Sequence, residues 1–310
     1  MDWQVADAPG PARDLVGYGR NPPRVRWPDG ARIAVNFVIN YEEGSELSHE
    51  LGDGRGDGLT EVPFALNPRY RDFGAESMFE YGSRAGIWRL ARLFDSYDIP
   101  LTMYACAVAL ERNPEVCAWI RERGHEPCGH GWRWEQIWRL SREEERERLR
   151  ACIQSIEASC GERPRGWYCR YSPSANTREL LVEDGGFLYD SDAYNDDLPY
   201  FTQVNGTRHL IIPYNLVYND IRFIMPQGDM SPAAWADFLI RAFDWLWQEG
   251  ESCPRMMSVG LHPRLVGQPG RASALKQFID HCGAKGGVWF CRRLDIARWW
   301  LEQHESFASA

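Results

Sequence analysis

The chain has 310 residues, 44% of them hydrophobic and 25% charged, and a formal net charge of −9. That length is enough to bury a large core in one α/β domain, and the acidic balance argues against non-specific binding to nucleic acid or to an anionic membrane. Of the 35 basic residues all but Lys276 and Lys285 are arginine, and there are 14 Trp and 13 Tyr, enough to line a pocket as well as a core. No apolar run reaches the roughly 18 residues of a membrane-spanning helix, and the first residues lack a basic stretch followed by an apolar one. Nine scattered cysteines with no Cys-x-x-Cys pair suit reduced thiols, not a disulfide framework. The expectation is a cytoplasmic protein.

Residues 1–31 are rich in Pro, Gly and Arg without a sustained period, and are expected to form an arm over a single domain spanning 1–310. After the turn Pro28-Asp29-Gly30, the run Ile33, Ala34, Val35, Phe37, Val38, Ile39 suits a strand buried on both faces. It stops at Asn40-Tyr41-Glu42-Glu43-Gly44. Residues 44–75 are rich in Gly and Asp and are expected to be a loop insertion; the stretch 53–57 lacks the ligand spacing of a calcium loop and suits a solvated loop. Ile87, Leu90, Ala91 and Phe94 fall at helical spacing, residues 101–109 suit a second strand, and 114–123 a short helix closed by Gly124. A short strand over 126–128 delivers Gly129-His130-Gly131-Trp132-Arg133-Trp134. Ser141 with Glu144 is a capping-box signature. It opens a helix with Leu149, Cys152, Ile153, Ile156 and Cys160 inward. Ser231-Pro232 starts another, with Trp235, Phe238, Leu239, Ala242 and Trp245 inward and Gly250 at its end. A strand over 256–261 runs into His262-Pro263-Arg264; a helix around 275–282, a strand over 288–291 and a helix over 294–301 complete the chain. Alternating strands and helices favour a parallel sheet or a (β/α) barrel.

In such folds reactive groups collect at the C-terminal ends of the strands. Three predicted strand ends carry them: Glu42-Glu43, His130 and His262. A fourth segment, Trp167-Tyr-Cys-Arg170-Tyr-Ser-Pro173, adds an arginine among aromatics. A carboxylate with a histidine is the minimum kit for hydrolysis, one deprotonating water and the other protonating a leaving nitrogen. Each group also has an ordinary alternative: solvated charges for the glutamates, a hydrogen-bonded structural residue for His130, and for His262-Pro263-Arg264 a turn with Arg264 satisfying carbonyls. His125 and Glu126 suit a structural role at a helix-to-strand junction.

The blocks Asn40-Tyr-Glu-Glu-Gly44, Gly124-His-Glu-x-x-x-His130, the segment 170–173, Tyr189-Asp-Ser-Asp192 and Leu261-His-Pro263 together resemble the polysaccharide deacetylase superfamily. Glu80-Tyr-Gly-Ser-Arg-Ala-Gly-Ile-Trp-Arg89, His130-Gly-Trp-Arg-Trp134 and Gly161-Glu-Arg-Pro-Arg-Gly-Trp-Tyr168 are similar to its allantoinase and cyclic-imide hydrolase branch. The resemblance implies a distorted (β/α)7 barrel of the NodB type and a metal site of one carboxylate and two histidines, the second four residues after the first. Here the first is His130, and four residues on stands Trp134, which offers a cation no lone pair. The substitution resembles the allantoinase branch, some members of which work without metal. The resemblance further implies Glu42 as general base, Glu43 as the metal carboxylate of metal-dependent relatives, and His262 as general acid, with Glu42 and Glu43 interchangeable under a one-residue slip.

The resulting expectation is hydrolytic opening of a cyclic amide, allantoin or a related ureide or imide. Glu42, Glu43 and His262 are the expected catalytic residues, and His130, Trp132, Trp134, Arg170 and Arg264 the expected substrate contacts. No cofactor is expected; if a divalent metal such as zinc is present, Glu43 and His130 are its expected ligands. The alternatives are a metal-dependent N-deacetylase of a sugar or small acetamide, and a binding protein that kept the pocket. The expected partner is a small molecule rather than nucleic acid or membrane. The family resemblance implies a homo-oligomer, often a tetramer.

Overall fold

The computed structural model describes residues 10–62, 64, 66–225 and 230–307; residues 1–9 of the expected arm lie outside them. The first strand, β1 (Ile33–Tyr41), is buried along its whole length. Its odd residues join the helices in one apolar core, while Ala34 and Val38 face a second, inside the curve of the sheet, the two-residue alternation of a strand covered on both sides. After the loop come α1 (Phe73–Tyr81), one wide π-helical turn over 82–86, and α2 (Ile87–Tyr97). Next are β2 (Leu101–Ala105), α3 (Ala107–Arg112), α4 (Pro114–Arg123), β3 (Glu126–Gly129) and α5 (Arg142–Cys160), the last opened by the Ser141/Glu144 capping box. Then follow β4 (Gly166–Trp167), α6 (Thr177–Asp184), β5 (Tyr189–Asp190) and a hairpin, β6 (Tyr200–Val204) and β7 (Thr207–Ile211). The chain ends with α7 (Pro232–Glu249), β8 (Arg255–Leu261), α8 (Pro269–Lys285), β9 (Val288–Phe290) and α9 (Arg293–Gln303).

Seven strands run parallel in the order β7-β5-β4-β3-β2-β1-β8, with β6 antiparallel outside β7. One edge of β1 is shared: Ile33 to Val35 pair with β9 and Phe37 to Tyr41 with β2. This is the expected distorted (β/α) barrel, and among the described residues no ladder joins β8 to β7. Arg293, at the start of α9, spans that gap from inside. Its guanidinium donates to Asn36 Oδ1 on β1 (3.0 Å), Ser258 Oγ on β8 (2.6 Å), Ser191 Oγ after β5 (3.1 Å), Pro213 O (2.9 Å) and the Ile212 carbonyl after β7. A fully buried cation, with no carboxylate of the described residues within ion-pair distance, is held by neutral acceptors alone.

Two expectations need correction. Residues 101–109 are not one strand: β2 stops at Ala105 and α3 begins two residues later. On α7, Trp245 faces solvent and donates to Glu249 Oε1 (2.7 Å), while Trp235, Leu239, Phe243 and Leu246 face the core. No described helix is long and apolar enough to cross a membrane.

Candidate active site

Strand register places the site. Tyr41, Ala105, Gly129, Trp167, Asp190 and Ile211 form one row across six parallel strands. The next residue of three of those strands is Glu42, His130 and Tyr168. On the other side of β1, Leu261 pairs with Ile39, so His262 follows at the level of Asn40. Glu42, His130, Tyr168, His262 and Asn40 therefore meet at the C-terminal mouth of the barrel, where they line a small pocket with Trp134, Arg170, Tyr171, Leu216, Asn219 and Ile221. Gly131 makes the turn after His130 possible: its φ is +100°, and a Cβ there would lie 2.7 Å from the Arg133 carbonyl.

Glu42 is the hub. Its Oε1 lies 3.3 Å from His130 Nε2 and 3.5 Å from His262 Nε2, and its Oε2 accepts from Arg264 Nη1 at 2.8 Å. His130 Nδ1 lies 2.7 Å from the Tyr168 carbonyl, which only accepts, so that nitrogen carries a hydrogen. Its ring stacks on Tyr168 with centroids 5.2 Å apart and planes at 5°. His262 Nδ1 faces Asp220 Oδ1 at 2.6 Å, and Asp220 Oδ2 accepts from the backbone N–H groups of His262 (2.7 Å) and Val266 (3.2 Å). Burial alone pulls the His262 pKa down, but the carboxylates of Asp220 and Glu42 outweigh it and raise the value to about 9. Burial pushes the Glu42 pKa up, and Arg264, His262 and His130 overcome it, holding the carboxylate well below its usual range. At neutral pH the site thus contains an ionised Glu42 facing a protonated His262.

Glu43 points the other way. Its Oε1 accepts the Arg264 backbone N–H (3.3 Å) and lies 3.5 Å from Arg264 Nη1, while its Oε2 accepts the Glu42 N–H (3.1 Å). The carboxylate rests against Gly82, where a Cβ would come within 2.4 Å of Oε1; the π-helical turn supplies a glycine where the acid needs the room. Burial raises the Glu43 pKa against the opposing pull of Arg264. Two adjacent carboxyls are thereby driven apart in acidity, a separation that marks different roles.

Of the expected site residues, the structure brings Glu42, His262, His130, Trp134 and Arg170 together around the pocket. Glu43, Trp132 and Arg264 do not line it. Trp132 is half-buried against the outer core, and the pocket's further aromatic rings come from Tyr168 and Tyr171 instead. Arg264 satisfies no described carbonyl through its side chain; it lies behind Glu42, over the rings of Phe79 (4.6 Å) and Trp134 (5.2 Å), bonded to both glutamates. Arg170 packs its guanidinium 3.6 Å from the centre of the Trp134 ring, donates to the Trp134 carbonyl (2.7 Å) and pairs with Asp57 (2.7 Å), leaving a buried Nε without an acceptor among the described residues. The stretch 53–57 is solvated through residues 54–56 as expected, but its ends are tied down: Asp57 is buried against Arg170 and Asp53 pairs with Arg133. Tyr171 holds a left-handed φ of +61°, a conformation costing about 1–2 kcal/mol for a residue with a Cβ. The Tyr194 hydroxyl fixes it by donating to the Tyr171 carbonyl at 2.8 Å.

Sequence reasoning missed Asp220, Asn40 and the tyrosines. Asp190, in the block Tyr189-Asp-Ser-Asp192, holds Arg178 (2.7 Å) and His209 (3.0 Å) and is not among the residues lining the pocket. His125 and Glu126 are structural as expected: His125 Nδ1 accepts the Leu101 N–H, and Glu126 accepts from Thr102, Tyr189 and Leu294.

The residues do not fit the metal set that the resemblance implies. Trp134 occupies one ligand position with an aromatic ring, Glu43 faces away from His130, and the Arg264 guanidinium sits on both carboxylates, the place a cation would need. No group of three or more His, Cys, Asp or Glu among the described residues is arranged to hold a metal ion.

The polysaccharide deacetylase family model matches residues 73–188. A curated Schizosaccharomyces pombe protein named "Putative polysaccharide deacetylase" is 38% identical over 94% of this chain and 98% of its own length. Among solved structures, a probable polysaccharide deacetylase from Pseudomonas aeruginosa PAO1 is 46% identical with a TM-score of 0.90, covering 94% of this chain and 98% of that one. Puue allantoinase is likewise 46% identical, with a TM-score of 0.91 over 96% of this chain and 99% of that one. The chain belongs to the polysaccharide deacetylase family, in which it matches the allantoinase branch.

Proposed function

We propose that this member of the polysaccharide deacetylase family hydrolyses a C–N bond within a cyclic amide, opening the ring of allantoin or a related ureide or imide. The observation that carries the proposal is the Glu42–His262 pair, 3.5 Å apart and backed by Asp220, at the mouth of a pocket walled by flat aromatic rings. Glu42 takes a proton from water as the water oxygen bonds to the ring carbonyl carbon. Arg170 Nε donates to the developing oxyanion. His262 protonates the ring nitrogen as the C–N bond breaks. Glu42, now protonated, faces the neutral His262, and transfer of its proton across that contact resets the site. Arg264 supplies a fixed positive charge that keeps Glu42 ionised in a buried place. Trp134, Tyr168 and Tyr171 present apolar faces to a planar heterocycle. The identity with Puue allantoinase supports this reading. Its test is incubation with allantoin, succinimide and an N-acetylated sugar. A ring-opened product heavier by one water supports it; acetate release from the sugar alone supports the deacetylase alternative.

The same assignment predicts the pH profile. The acid form of His262 is required, so activity falls as pH rises through about 9. Replacing Asp220 with Asn removes the larger of the two interactions that raise the His262 pKa, moving the alkaline limb down by roughly 1–3 pH units. Stability follows the same sign: the contribution of the His262 ion pairs is full below the ordinary histidine value of about 6.5 and is lost as pH climbs through the folded value. An unmoved limb in Asp220→Asn would take the general-acid role away from His262.

A further inference from the structure

Asn40 sits on the even, inward side of β1 and lines the pocket beside Glu42 and His262. Its amide orientation is set. Nδ2 donates to the Leu261 carbonyl (3.3 Å) and the Tyr214 hydroxyl (3.3 Å), and since a carbonyl only accepts, the amide cannot be turned over without losing a bond. Tyr214 is itself held by Asn219 Nδ2 (3.0 Å), whose Oδ1 is occupied by the Ile221 N–H. The Asn40 Oδ1 accepts no hydrogen bond from any described residue. On a buried residue, the pocket therefore offers an oriented amide oxygen with no protein donor, beside the proposed base and acid.

We infer that Asn40 is a specificity residue whose Oδ1 accepts a ring N–H of the substrate, so that the chain takes cyclic amides with an unsubstituted ring nitrogen and rejects those alkylated there. This rests on the ring-opening reading and narrows it to N–H ureides and imides. A buried acceptor facing a methyl group loses its partner and its hydration together. A structural role for Asn40 would lower turnover of every ring alike; a specificity role changes the ratio between rings.

The experiment compares kcat/KM for hydantoin and succinimide with that for their ring N-methyl derivatives, in wild type, Asn40→Leu and Asn40→Asp, with folding checked by circular dichroism. The expected result is a wild-type preference of about 10- to 100-fold for the N–H ring. It collapses in Asn40→Leu and survives in Asn40→Asp, which keeps an acceptor at the same place even if overall turnover falls. Equal use of both rings by wild type, or a preference undiminished in Asn40→Leu with the chain folded, overturns the inference, the latter showing steric exclusion. Should Asn40→Leu not fold, loss of the preference in the acceptor-retaining Asn40→Asp overturns it instead. If no ring is opened, calorimetric binding separates the two ideas. Asn40-dependent preference for the N–H ring keeps the inference and removes the ring-opening reading, whereas absence of binding removes both.

Discussion

Glu42→Gln lowers kcat/KM for ring opening by about 10²- to 10⁴-fold, the range for removal of a general base or acid, in a chain that remains folded by circular dichroism. Gln keeps the shape of the side chain, and Arg264 retains Glu43 as its partner, so the loss is chemical. The neighbouring Glu43→Gln is the control. Its carboxyl faces Gly82 and the Arg264 backbone rather than the pocket, so it costs much less in turnover. Removing Glu42 also removes one of the two carboxylates that raise the His262 pKa, so the residual activity has its alkaline limb at lower pH than wild type. Equal losses from the two substitutions would contradict the separation of roles between adjacent glutamates.

The second large effect is on stability. Arg264→Met leaves Glu42 and Glu43 buried together with their principal counter-charge gone, and breaking a buried pair from one side costs about 3–5 kcal/mol. Urea unfolding measures it. The sign with pH is fixed: both carboxyls of the variant titrate at higher pH than in wild type, so its deficit shrinks as pH falls and they protonate, and grows as pH rises. Combining Arg264→Met with Glu42→Gln and Glu43→Gln recovers part of the loss, because neutral amides do not need the cation. A deficit below about 1 kcal/mol, the worth of an exposed pair, would contradict the role given to Arg264.

Much of the barrel could be read from the chain because its signals are local. The apolar run of β1, the capping box of α5 and the glycine after α4 each act within a few residues. The segment 101–109 misled because its residues are all buried, in β2 and α3 alike, and a short run without a polar face has no period to distinguish strand from helix. Helix α1 was not visible for a related reason: only Ala75 and Phe79 of its nine residues are buried, too few to mark a face.

The site divides along the same line. Glu42, His130 and His262 were legible because each directly follows a strand that could be recognised. Asp220 was not, opening a short 3-10 turn too brief to show a period and reaching His262 across 42 residues of chain. Arg264 looked like a turn residue because its acceptor is 222 residues away. One signal was present and unused. Alternation along β1 sends even residues inward, which by itself assigns Glu42 to the pocket and Glu43 to the helices.

The measurement that tests the proposed chemistry most directly is metal content together with turnover of allantoin and succinimide, before and after exhaustive treatment with EDTA. The expected result is protein with far less than one metal ion per chain, opening a ring at a rate the chelator does not change. One tightly held ion per chain, with activity lost on chelation and regained on adding metal, would contradict it. The carboxylates that the structure gives to Arg264 would then have to reach the metal instead.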